Sequence, residues 1–370
     1  MDNHLYNKID IVYTWVNGSD KKWRSVKSDF LNTAKFKDMR NSFNKEYNLV
    51  HRYRNRDELK YSLRGIHKNA PWINHIYIVT CGHIPKWLNV KHPQITMIKH
   101  SDIMPPDHLP TFNSMAIEAN IHKIPGLSPY FIYSNDDVFV NRPITVSDFI
   151  EQSTGKIKIY FQEKPSDKRC NYLLKLEKDL NTASCIEDEK CDIDATRQFV
   201  NKCYNLEIYT LKGIPNISEI GYNSQWKNTN RLLDREFVTE PRIPIAHIPQ
   251  IQTIEICKAV NRQYPQAIAN TSNSPFRSIF CYGTTNALYP YYGIYTNKAI
   301  GVYKDNELFR LFLTSNETIN KMQYDLLKRF KPKFLCVQDS TSKRDCNLFI
   351  QFTTFMDELF PEKSPYEQTF

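Results

Sequence analysis

Stretches that are apolar almost throughout recur along the first third of the chain, each bounded by polar or helix-breaking residues. Ile9–Val16 (IDIVYTWV), His75–Thr80 (HIYIVT), Ile95–Ile98 and Tyr130–Ser134 (YFIYS) are rich in β-branched and aromatic side chains. That pattern predicts strands buried on both faces. Asp57–Lys68 (DELKYSLRGIHK) instead puts Leu59, Leu63 and Ile66 on one stripe, with acids at its start and bases at its end. A helix whose charges complement its dipole follows. Asn113–Ile124 predicts another helix, stopped by Pro125-Gly126. Asn17-Gly18-Ser19-Asp20 breaks the first strand and offers Ser19 or Asp20 as a helix cap. Alternating strands and helices predict an α/β fold, with a mostly parallel sheet and helices on both faces.

Farther on the pattern changes. Residues 151–235 have nearly balanced charge, weak periodicity and clustered cysteines, which predicts an inserted, α-rich subdomain. Phe237–Ala299 is punctuated by proline and tyrosine and reads as long irregular connections over a sheet. Met322–Phe330 and Asp345–Leu359 read as helices, and Phe334–Val337 (FLCV) is one more short apolar run. A length of 370 residues fits two domains, or one with a large insertion. The divisions predicted are 1–150, 151–235 and 236–370.

Composition narrows the class. With 41% hydrophobic and 24% charged residues the chain is an ordinary globular protein. It has neither GxGxxG nor GxxxxGK[ST], so a bound nucleotide must be held by other groups. The net charge is +9, and residues 1–70 carry fifteen Lys/Arg against eight Asp/Glu. Such a face suits nucleic acid, a diphosphate substrate or an anionic membrane; a merely solvated basic face is the commoner outcome. Nine cysteines, with no CxxC, read most simply as free thiols of a reducing compartment, with a local disulfide among Cys170, Cys185, Cys191 and Cys203 in another compartment as the alternative. The polar Met1–Asp10 and the lack of a long apolar run predict a cytoplasmic protein, with peripheral contact at an inner membrane left open.

Candidate chemistry gathers at predicted strand ends. Asp136 and Asp137 follow the Tyr130–Ser134 strand, and paired carboxylates there suit Mg²⁺ or Mn²⁺ on a diphosphate. Taken alone, the pair is more simply a turn. Asp339, after FLCV, offers a distant second carboxylate. His247 is the one histidine beyond His122, set between Pro244 and Pro249; an apolar setting would keep it neutral and basic, or simply structural. Arg54, Arg56 and Arg277 could fork onto phosphate oxygens. Asn113 reads as an N-cap, and Glu118 as a group that orients a sugar hydroxyl or pairs with a base.

TWVNGSD (14–20), RDELKYSLRGIHKNAPWINHIYIVT (56–80), LPTFNSMAIEANIHKIPGLSPYFIYSNDDVFV (109–140) and FLCVQDS with FMDELFP (334–361) together resemble the Stealth family of sugar-phosphate transferases. The resemblance implies a Rossmann-like, GT-A-related core. It implies transfer of sugar-1-phosphate from a UDP-sugar, with a UDP-N-acetylhexosamine the expected donor, to a glycan hydroxyl with release of UMP, and Mg²⁺ or Mn²⁺ as cofactor. Residues 1–150 would then be the nucleotide-sugar half of the core, 151–235 the acceptor side and 236–370 the rest of the core. Trp15, Asn17, Gly18 and Asp20 would hold the nucleotide, with Arg54, Arg56, Asn113 and Glu118 also on the substrates. Asp137 and Asp339 would hold the metal, while His247, Arg277 and Asp136 carry catalysis. Gln338 and Ser340 stand where the family's last block has asparagines. An ordinary GT-A glycosyltransferase releasing UDP, and a non-catalytic carbohydrate- or nucleic-acid-binding protein, are the competing expectations; nucleic acid is disfavoured because the aromatic residues fall in predicted cores.

Overall fold

The computed structural model describes residues 8–43, 49–161, 222–240, 242–303, 308–314, 316–339 and 346–368. Strands β1 (Ile9–Thr14), β2 (Ile76–Thr80), β3 (Ile95–Lys99) and β4 (Tyr130–Asn135) lie parallel, and β7 (Gln250–Thr253) joins antiparallel to β4. The sheet order is β3-β2-β1-β4-β7. All six residues of β1 and all five of β2 are buried, as the near-continuous apolar runs require of strands covered on both faces.

β4 does not end the path. After a two-residue turn the chain continues as β5 (Val138–Val140), which belongs to a different sheet. There β10 (Phe334–Asp339) lies between β5, antiparallel to it, and β9 (Leu308–Leu313), parallel to it. A parallel pair of β6 (Ile157–Tyr160) and β8 (Ala299–Val302) completes the strands among the described residues.

Two cores result. The larger surrounds the five-stranded sheet; the smaller combines Phe309, Leu311, Leu335 and Val337 with Phe352 and Met356 of the helix Cys346–Leu359. The helix Glu58–Asn69 serves both: Leu59, Leu63 and Ile66 enter the first core, and Tyr61 the second. Gly65 lets it lie against β5, because a Cβ there would stand 2.7 Å from the Val140 carbonyl oxygen. Arg64 on the same helix forks onto Glu367 at 2.9 and 2.7 Å and so staples the C-terminal segment to this half.

The expected strands stand where the patterns put them, and so does the α/β class with its mostly parallel sheet. Two readings need correction. Asn113–Ile124 is not one helix but the helix Ser114–Glu118 followed by a 3-10 turn at Ile121–Lys123. Asn120 interrupts it, donating from its amide to Ala116 O and Ser272 Oγ, both at 2.8 Å; such local side-chain bonds compete with helix continuation. Phe237–Ala299 is largely regular: β7 and the helices Ile254–Gln263, Pro265–Ser272 and Tyr289–Tyr295 occupy it. Pro265 and Pro290 lie in first turns, where a missing N–H costs no helical bond. Most of the expected insertion, residues 162–221, lies outside the described residues, with Cys170, Cys185, Cys191 and Cys203. Among the described residues no helix is long and apolar enough to cross a membrane.

Candidate active site

The loop after β1 is built to hold a fixed shape. Asp20 caps the helix Lys21–Leu31 by accepting from Trp23 N at 2.8 Å. Asn17 Oδ1 accepts from Ser19 N at 2.9 Å, an Asx turn. Gly18 N donates to Tyr53 O at 2.7 Å, and a Cβ on Gly18 would meet that oxygen at 2.5 Å, so only glycine fits the approach. Trp15 is buried, donates from Nε1 to Asn55 Oδ1 at 3.2 Å and packs edge-on against His83, 4.8 Å between centroids. His83 Nε2 accepts from Asn17 N at 3.2 Å. Burial lowers the His83 pKa and favours the neutral ring that can accept.

Asp136 and Asp137 form the turn between β4 and β5, at the seam of the two sheets. Glu58, at the start of its helix, is the third carboxylate; it accepts from Arg56 N at 2.6 Å. Burial raises Glu58 and Asp137 to about 7 each. Burial first, then the charges of Asp137 and Glu58, drive Asp136 well above the carboxylate range. Asp137 Oδ1 is buried with no hydrogen-bond partner among the described residues. Crowded carboxylates with an orphaned oxygen are the donor set of a hard dication, so these residues fit Mg²⁺ or Mn²⁺.

His247 reaches the same turn from the other side. β7 pairs Gln250 with Tyr133 and Ile251 with Ile132, and extending that antiparallel register brings residue 247 level with the turn. Its Nε2 lies 3.1 Å from Asn135 Oδ1, whose own Nδ2 donates to Tyr133 Oη at 3.2 Å. That chain of bonds puts the ring proton on Nε2 and leaves Nδ1 as the lone-pair nitrogen. Nδ1 faces Cys336 Sγ at 3.5 Å. Burial, with Arg310 and Arg277 nearby, lowers the pKa to about 3, so the ring is neutral.

Cations surround this group. Arg310 on β9 is the register partner of Cys336 and holds the Asp137 carboxyl down against the effect of burial. Its Nε is buried with no hydrogen-bond partner among the described residues. Arg277 donates to Ser114 Oγ at 3.2 Å. Arg54 and Arg56 both form ion pairs with Asp339 Oδ2. Asp339, expected on a metal, is thus placed as the anchor of two guanidinium groups, and Arg56 is almost wholly buried behind it. Asn113 and Glu118 are engaged by protein groups. Asn113 caps the helix Ser114–Glu118 and donates to Ser274 O at 3.0 Å and Phe276 O at 3.3 Å, which ties down the segment carrying Arg277. Glu118 accepts from Tyr133 Oη at 3.2 Å and Thr285 Oγ1 at 2.5 Å.

The chain matches the Stealth models for conserved region 1 over residues 7–33 and conserved region 2 over residues 52–158. It is 31% identical to an exopolysaccharide phosphotransferase of Streptomyces coelicolor over 97% of its own length and 52% of the relative's. It is 30% identical to a capsular polysaccharide phosphotransferase of Neisseria meningitidis serogroup A over 99% of its length and 58% of the relative's. The chain carries matches to two conserved regions of Stealth proteins. An exopolysaccharide phosphotransferase of Lactiplantibacillus plantarum shares 44% identity over 144 residues, 39% of this chain and 40% of that one. The chain spans a little over half the length of its Streptomyces and Neisseria relatives.

The match to region 1 contains β1 and the loop after it, and the match to region 2 contains Arg54, Arg56, Glu58, Asp136 and Asp137. His247, Arg277, Arg310 and Asp339 come from beyond both. Four residues of the site escaped the sequence reading: Glu58, His83, Arg310 and Cys336. Arg310 had a signal, since LFRLFL (308–313) alternates in period two with the arginine off the apolar face. Glu58 passed as an ordinary helix-start acid, and His83 and Cys336 carried no local pattern.

Proposed function

We propose that this protein transfers sugar-1-phosphate from a UDP-sugar, a UDP-N-acetylhexosamine by preference, to a hydroxyl of a glycan acceptor, releasing UMP. The observation that carries the reading is the orphaned Asp137 Oδ1 beside Asp136 and Glu58, opposite His247, Arg277 and Arg310. A diphosphate needs both halves of that arrangement: carboxylates for its dication and guanidinium groups for its oxygens. The names of the relatives support phosphotransfer in polysaccharide synthesis.

In this reading Asp137 and Asp136 hold Mg²⁺ or Mn²⁺, with Glu58 adding negative charge from behind. When bound, the ion neutralises the diphosphate and the UMP leaving group. The Trp15–Asp20 loop seats the nucleotide, with its shape fixed by Gly18, Tyr53 and His83. His247 takes the acceptor hydroxyl's proton on Nδ1. Diphosphate charge beside Arg277 and Arg310 offsets the very cations that depress its pKa, so the ring becomes a better base once donor is bound. The acceptor oxygen attacks the phosphorus attached to the sugar, and the bond from that phosphorus to UMP breaks. Arg310 and Arg277 stabilise the equatorial oxygens. Asp339 presents Arg54 and Arg56. The basic N-terminal part suits anionic substrates and, in the same reading, peripheral contact with an anionic membrane.

A panel of UDP-sugars with Mg²⁺ or Mn²⁺ and glycan acceptor tests this. The expected nucleotide product is UMP. Release of UDP instead would identify a glycosyltransferase, and donor binding without turnover a non-catalytic binder.

A further inference from the structure

Cys336 has no part in the reaction just described, yet it is set where a thiol would matter. It is fully buried, its Sγ is 3.5 Å from His247 Nδ1, and one donor atom each from Asp137, His247 and Cys336 all lie within 4.8 Å of one another. We propose that these three side chains form a binding site for a thiophilic dication, Zn²⁺ foremost, and that an ion bound there inhibits the enzyme.

The geometry is close to what such an ion needs. Bond lengths of about 2.0–2.3 Å in a tetrahedral site place neighbouring donors roughly 3.3–3.8 Å apart. The Cys336–His247 separation already falls in that range, and Asp137 closes the rest by a small shift of its carboxylate. Three protein donors leave a fourth position open, the arrangement of an accessible rather than a sealed site. Access is from the side of Asp137 and His247, which are half-buried, with the sulfur at the bottom.

Donor chemistry separates this site from the one for the cofactor. Mg²⁺ takes oxygen donors and gains nothing from a thiol, whereas carboxylate, imidazole and thiolate together select zinc-like ions. On binding, the S–H proton goes to solvent, and the thiolate and carboxylate then balance the dication's two charges. The Asp137 oxygen that lacks a partner acquires one. Arg310, the register partner of Cys336, opposes the ion and limits its affinity. Inhibition follows from two substitutions at once, a part that rests on the proposed reaction. The soft ion occupies Nδ1, the lone pair meant for the acceptor's proton, and it takes the Asp137 carboxylate from the catalytic dication.

Co²⁺ added to the full chain reads the site without any turnover. The expected spectrum has visible bands of four-coordinate strength and a near-ultraviolet thiolate-to-cobalt band at one equivalent, both erased by Zn²⁺. Cys336→Ala, its fold checked by circular dichroism, loses the near-ultraviolet band; His247→Asn keeps a thiolate band but binds roughly 10–100-fold more weakly. Arg310→Ala tightens the binding. A spectrum of oxygen-only, six-coordinate type, or a thiolate band that persists in Cys336→Ala, would overturn the site, since another thiol, such as the exposed Cys81 beside His83, would then be its source. In the Mg²⁺-supported assay Zn²⁺ should inhibit the wild type, and Cys336→Ala, read against its own zinc-free rate, should be at least roughly tenfold less sensitive. Equal sensitivity of the two would overturn the inhibitory role while leaving the reaction itself intact.

Discussion

The two larger sheets of this protein do different work. Strands β1 and β2 of the five-stranded sheet are buried on both faces, and every one of their side chains is buried. Its chemistry appears only where the strands stop, at Trp15–Asp20 and at Asn135–Asp137. The three-stranded sheet is thinner, and β9 alternates between buried and half-buried positions. Period two sends Phe309, Leu311, Leu313, Leu335 and Val337 into the second core. The opposite parity presents Arg310 and Cys336 to His247 and Asp137. A sheet covered on both faces can offer function only at its ends; one with a face to spare can offer it along its length. The Asp136–Asp137 turn belongs to both sheets and receives charge from both.

If the seam is the catalytic centre, the largest loss comes from cutting it. Asp137→Asn removes the carboxylate with the orphaned oxygen, and its activity should fall below that of any other variant here, beyond the roughly 10²–10⁴-fold given by one general base. Mn²⁺ affinity measured on the same variant should fall with it. His247→Ala should fold normally and lose about 10²–10⁴ in rate; a near-wild-type rate would remove His247 from the chemistry. Arg310→Ala sharpens the contrast between the sheets. As a ligand of the transferring phosphoryl group it should cost about 10²–10³ in kcat while affinity for UMP, which lacks that group and rests on the first sheet's loops, stays unchanged. An equal loss in both would mean that the sheets share the nucleotide.

The smallest effect expected is on stability. Glu58 and Asp137 are raised by burial from 4.5 and 3.8 to about 7 each. Between about pH 4 and 7 the folded chain therefore holds protons that the unfolded chain has released, and metal-free stability declines as pH rises through that window. A divalent cation takes over the role of those protons. Mg²⁺ or Mn²⁺ should raise the melting temperature more near about pH 8 than near about pH 5. An equal rise at both would detach the cation from these carboxylates.

What the sequence disclosed follows the same division. β1, β2, β3 and β4 could be read because two-sided burial leaves near-continuous apolar runs, and the helix Glu58–Asn69 because its stripe is single. Asp136, Asp137 and the Trp15–Asp20 loop were visible as polar breaks after those runs. The second sheet was harder. β5 has three residues, and β9 stands some 170 positions from it in the chain, so no local pattern announces that Arg310 and Cys336 meet Asp137. Asp339 was legible as an acid after FLCV, but its ion pairs with Arg54 and Arg56 depend on a tertiary contact across most of the chain. The helices within 237–299 were hidden by their prolines, which sit in first turns and so mark starts rather than breaks.

The central claim is that the seam breaks a phosphorus–oxygen bond and leaves the sugar's C1–O bond alone. The most direct measurement uses a UDP-sugar with a heavy-oxygen label at the bridge between C1 and the phosphorus, followed by mass spectrometry and phosphorus NMR of the products. Sugar-1-phosphate transfer predicts that the label stays in a new phosphodiester between sugar and acceptor and that the departing UMP carries none. Label recovered in released UDP would show that C1–O was cleaved, and the account of this site would be wrong.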